Sequence, residues 1–160
     1  MLRLSSDEIL KWLREAYFAL DGLWFLVVEE DKGLEEAIRL DFKVWERLAW
    51  IMAKRVKRRF NLPGDIKSIM NSLDVFFSVE GWTVDIKAEE GFFKVERCPW
   101  WDYLTKVGRR YITEKICPMV CELIFSSWAK AFNPDVDIEF HFAPPNCQVL
   151  FKVRGDEGGE

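Results

Sequence analysis

The chain holds four cysteines, and two of them stand directly before proline. These are Cys98-Pro99 and Cys117-Pro118, with Cys121 and Cys147 following. Proline is welcome at the first helical position, where its missing N–H is not needed. Each Cys-Pro step therefore predicts a cysteine at a helix N-cap. A thiol there faces free backbone N–H groups and the positive end of the helix dipole, which lower its pKa and favour the thiolate. The thiolate is the form that attacks carbon or binds metal, so Cys98 and Cys117 are candidate catalytic residues. Thr113-Glu114 offers an earlier helix start, which would put Pro118 inside the helix and weaken the argument for Cys117.

The same thiols suggest a metal centre of Cys98, Cys117 and Cys147, for which zinc is the suited ion. The spacings of 19, 4 and 26 residues nevertheless match no paired CxxC pattern. Cys121 lies on one stripe with Ile124 and Trp128 and reads as a core cysteine. A nucleophilic thiol needs a base, and His141 is the only histidine. Simple alternation puts His141 on a face with Asp137 and Glu139, opposite to Cys147. Buried structural cysteines or a disulfide are the plain alternative to any site.

Two aspartates also lie on or near apolar stripes. Asp41 stands between Ile38 and Trp45, and Asp21 between Tyr17 and Trp24. Carboxylates are seldom buried unless paired or serving a site. A polar ligand pocket of Asp21, Trp24, Asp41 and Trp45, with Cys147 in a thiol pocket, is one reading; ordinary pairing to Trp N–H or Arg is the other. The run Lys54-Arg55-Val56-Lys57-Arg58-Arg59 could meet phosphates, but it sits at a helix C-terminus, where cations are favourable. No phosphate-cradling loop, GxSxG, HExxH or EF-hand pattern is present.

The elements that must position these residues can be read from periodicity. Ser6 is a suitable cap for a helix with Ile9, Leu13, Tyr17, Leu20, Trp24 and Val27 at spacings of three and four. After the turn Asp31-Lys32-Gly33, a second helix carries Leu34, Ile38, Trp45, Leu48, Met52 and Val56 and stops near Asn61-Leu62-Pro63-Gly64. The short turn predicts an antiparallel helical hairpin. Asp65 caps a third helix. Alternation then predicts strands over residues 82–87 and 93–97, a helix over 112–132, and strands over 136–142 and 147–153.

The expected fold is α+β: a helical hairpin and a further helix, then an antiparallel sheet of about four strands with a helix packed on one face. The expected organisation is a single domain, with the hairpin over 1–62, the α+β core over 63–153 and a flexible Gly- and Glu-rich tail over 154–160. An apolar share near half, with eight Trp and thirteen Phe in 160 residues, is enough for a core without staples. The net charge of −4 argues against nucleic acid as a partner. The longest apolar run is too short to span a bilayer, and the start lacks a secretory layout, so no membrane partner and a cytoplasmic address are expected. Scarce Gln and Asn beside abundant Lys, Arg and Glu is a thermophilic bias.

The second half has a Cys-Pro at the end of a hairpin, a second Cys about twenty residues on in a helix, and a last Cys leading Cys147-Gln148-Val149-Leu150-Phe151-Lys152-Val153. In this it resembles the small prokaryotic proteins related to L-2-amino-thiazoline-4-carboxylic acid hydrolase, and is loosely similar to the 4-vinyl reductase domain. Leu20-Asp21-Gly22-Leu23-Trp24-Phe25 and Leu40-Asp41-Phe42-Lys43-Val44-Trp45 resemble an uncharacterised branch of that group. The resemblance implies a small-molecule pocket with Cys98, Cys117 and Cys147 at the family's cysteine positions. It also implies ring-opening hydrolysis of a small cyclic C–N substrate, although Asn146 stands where a glycine is expected. The alternative is a non-catalytic sensor or scaffold that binds a partner, or a second copy as a homodimer, through an apolar patch around Trp24, Phe25 and Val28.

Overall fold

The computed structural model describes residues 3–154. The tail expected to be flexible lies, from residue 155 on, outside the described residues. Among them the order is α1 (Ser6–Lys32), α2 (Leu34–Phe60), α3 (Ile66–Glu80), β1 (Thr83–Lys87), β2 (Phe92–Arg97), α4 (Pro99–Lys106), α5 (Thr113–Phe132), β3 (Val136–His141) and β4 (Gln148–Val153). Contacts divide the chain into two compact units, Met1–Asp41 and Phe42–Glu160. The division falls inside α2 rather than near residue 62. No helix is long and apolar enough to cross a membrane among the described residues.

In the first unit, Ser5 rather than Ser6 caps α1. Its hydroxyl accepts the Glu8 N–H, while the Glu8 carboxylate accepts the Ser5 N–H at 2.7 Å. This capping box satisfies two otherwise orphaned donors. Gly33 alone separates α1 from α2, at a φ of 89° that favours glycine. The buried residues of α1 are Phe18 and Phe25. The stripe expected to face the core is in the wrong phase, because Ile9, Leu13, Leu20 and Val27 are exposed. This helix is apolar on two opposite faces, and periodicity cannot say which of them is covered.

In the second unit, the buried line of α2 is Trp45, Ala49, Ala53 and Val56. The expected stripe had named Leu48 and Met52 instead. The buried positions of this line include two alanines, Ala49 and Ala53, whose small side chains give a weak signal to a pattern read from bulky apolar residues. The basic run is partly spoken for. Lys57 donates to the Phe132 carbonyl at 2.7 Å, and Arg58 to the Lys54 carbonyl.

The strands form one antiparallel sheet in the order β1-β2-β4-β3. Val136, Ile138 and Phe140 alternate with Asp137, Glu139 and His141, as the sequence predicts, and Phe125 of α5 stacks on Phe140. Both α3 and α5 cover the same face, since Phe77 and Phe125 each pack against Phe93. That is one helix more than expected. The other face carries ion pairs such as Lys152–Glu139 at 2.6 Å. Two further features fix the helices and the strand ends. The Trp128 indole donates to the buried Ser72 hydroxyl at 2.7 Å, tying α5 to α3. At the β1–β2 turn, Gly91 has a φ of 66°, and a Cβ there would lie 2.5 Å from the Phe151 carbonyl oxygen.

Candidate functional site

The ladder that holds β2 to β4 also brings the cysteines together. Phe93 stands opposite Val149, and the Val95 N–H donates to the Cys147 carbonyl at 2.8 Å. Following β2 from Phe93 through Val95 therefore leads past Cys147 to Cys98, which ends the strand. Asn146 fastens the loop before Cys147, its amide donating to the Val95 carbonyl at 3.3 Å. Along α5, Phe125 packs on Phe93 and Phe151, Cys121 lies one turn before it, and Cys117 one turn before that. The rows on helix and sheet thus run toward the same end of the sheet.

Electrostatics give the same answer. A charge on Cys117 opposes ionisation of each of the other three thiols. Charges on Cys98 and Cys147 also bear on Cys121. The Cys121 thiol is held well above its ordinary value, first by its interaction with the Cys117 side chain and then by burial. All four cysteines are half-buried, and none is joined in a disulfide. Cys121, read from the sequence as core filler, is therefore a member of the cluster.

The Cys98 N-cap forms as expected. Pro99 opens α4, and the Cys98 sulfur accepts the Trp101 N–H at 3.4 Å. The expected consequence does not follow. Burial pushes the Cys98 thiol up to about 12, against a lesser downward pull from that N–H. A single weak hydrogen bond to sulfur does not replace the water that burial removes. Burial raises the Cys147 thiol as well. For Cys117 the cap itself is absent, because α5 begins at Thr113 and encloses Pro118. Its first free N–H groups belong to residues before Cys117, so the dipole argument for this residue is withdrawn.

Among the described residues, no group of three or more His, Cys, Asp or Glu side chains is placed to hold a metal ion, so the expected zinc centre of Cys98, Cys117 and Cys147 gains no support. The Cys98 sulfur accepts a backbone N–H, that of Trp101. His141 is exposed and pairs directly with Gln148, so it shares the outer face with that residue. Cys147, in phase with buried Val149 and Phe151, faces inward. No Cys–His couple is built here.

The aromatic residues around the cluster are held by a residue that sequence reasoning missed. Glu80, at the end of α3, is 5 % exposed. Its carboxylate accepts the Trp82 indole N–H at 2.8 Å and the Trp100 indole N–H at 3.4 Å. Trp100 also meets Trp45 edge-on, with ring centroids 5.4 Å apart. Glu80 and Trp45 thus pin α4, and through it the Cys98 cap. One signal was available: an acid at a helix C-terminus, where the dipole disfavours it, next to the stop Gly81-Trp82.

Of the proposed carboxylate pocket, Trp45 is engaged with Trp100 rather than presented to a ligand. In the first unit, Asp21 and Trp24 are half-buried and Asp41 is buried. Both aspartates are engaged by neighbouring groups. Elsewhere, an open cleft of about 730 Å³ lies between the start of α3 and the β1–β2 turn, lined by Asp65, Lys67, Glu89 and Phe151 among others. None of the candidate catalytic, metal or ligand-binding residues read from the sequence lines it.

No curated protein and no solved structure matches the chain. A profile of one protein family matches residues 2–150. The chain belongs to that family, the family of unknown function DUF6125.

Proposed function

We propose that this chain is a small-molecule-binding domain whose ligand meets the thiol cluster at the α4 end of the sheet. The observation that carries the reading is the meeting of four half-buried cysteines, outside any disulfide, from the β2–α4 junction, α5 and the start of β4. Four thiols beside Trp100 and Trp101 offer a soft, polarisable, largely apolar surface, suited to an uncharged ligand. The hydrolysis implied by the thiazoline-hydrolase resemblance gains less support. It asks for an activated thiolate or water, whereas burial holds Cys98 protonated and His141 lies on the opposite face. A cytoplasmic address suits the cluster, because a reducing compartment keeps neighbouring thiols from pairing.

Phenylarsine oxide tests the reading, because it needs two adjacent accessible thiols. Two S–H groups add to the As=O centre, forming two As–S bonds and releasing one water. The native chain is expected to take up one equivalent, and Cys117→Ser combined with Cys121→Ser to take up none. Uptake that begins only after unfolding would leave the cysteines as core residues and end the proposal.

A further inference from the structure

From α1 we infer that this face of the chain binds a second copy of itself, helix to helix. Ile9, Leu13, Ala16, Leu20, Leu23 and Val27 are spaced 4-3-4-3-4, the seam of a two-stranded coiled coil. All six are exposed, the five larger ones by 46 to 70 per cent. At 3.6 residues per turn they fall within about 40° of the point directly opposite Phe18. Phe18 and Phe25 mark the face that is already covered. The seam is therefore a second apolar face and not the margin of the first. It continues for roughly 27 Å at 1.5 Å per residue. The patch expected around Trp24, Phe25 and Val28 is not this surface, because Phe25 is buried.

Two features select a second copy as the occupant. Together with Trp12 at its edge, 70 % exposed, the seam presents on the order of 800 Å² per chain, one side of a standard specific interface. That exceeds the few hundred Å² of apolar patch that isolated monomers usually tolerate. The seam is also complementary to itself. An antiparallel pairing about a two-fold axis at Phe18 places Ile9 opposite Val27, Leu13 opposite Leu23 and Ala16 opposite Leu20. Each layer then joins an a position to a d position, and the small Ala16 receives the large Leu20. An isologous contact of this kind closes at two copies and leaves no open end.

Sedimentation equilibrium of the full chain at tens of micromolar tests the inference. The wild-type protein is expected to run as a dimer. Leu20→Glu, which sets two charges beside the axis, is expected to raise the dissociation constant about a hundredfold or more. Leu20→Gln should move it the same way by less, and circular dichroism should show both variants folded. A wild-type monomer overturns the inference, including one that instead binds anionic vesicles. So does a dimer that survives Leu20→Glu.

Discussion

Raising the pH from 9 to 12 is expected to cost the fold up to about 4 kcal/mol through Cys98 alone. Its ordinary value near 9.0 is moved to about 12 by burial. In that window the unfolded chain has lost the Cys98 proton and the folded chain still holds it. Stability then falls as the pH rises, by about 1.4 kcal/mol per unit. The contribution is intact below pH 9 and fully lost above pH 12. Cys121 and Cys147 are shifted the same way, so they add to the slope. Denaturant melts across the window should show the decline, and Cys98→Ser should flatten it while keeping the cap on α4. If wild type and variant fall in parallel, the loss belongs to other alkaline titrations and not to this thiol.

A second large effect is expected at Glu80. Glu80→Ala leaves the Trp82 and Trp100 indole donors without their acceptor in a buried setting. Losing these two hydrogen bonds should cost about 2 kcal/mol. Glu80→Gln, which still offers one carbonyl, should restore part of it. Because Trp100 belongs to α4, iodoacetamide should also reach Cys98 faster in Glu80→Ala. A stability change below about 1 kcal/mol, with unchanged alkylation, would show that Glu80 does not hold the cap.

Much of this architecture could be read before any coordinates, and for a physical reason. Alternation at Val136, Ile138 and Phe140, and the stop Asn61-Leu62-Pro63-Gly64, are local signals set by residues within a few positions. The inward phase of Cys147 and the outward phase of His141 followed from the same two-residue period. What failed were questions with two local answers. Cys117-Pro118 is compatible with an N-cap or with a proline inside a helix, and Thr113 decided for the latter. The helix α1 has two apolar faces, and sequence pattern chose the uncovered one. The pKa of Cys98 failed differently: the cap was foreseen, but its effect depends on burial supplied by residues distant in the chain. Glu80 escaped notice because an acid beside two indoles exists only after folding, and Cys121, read as a core cysteine, joins its fellow thiols for the same reason.

The central claim is that four thiols share one environment and repel one another's charge, with Cys117 bearing on all the rest. Titration of thiolate ultraviolet absorbance in native wild type and Cys117→Ser tests it most directly. The account predicts that Cys98, Cys121 and Cys147 ionise above their ordinary value, and that removing Cys117 lowers the midpoint of these three. Midpoints near the ordinary value, or the same titration with and without Cys117, would contradict it.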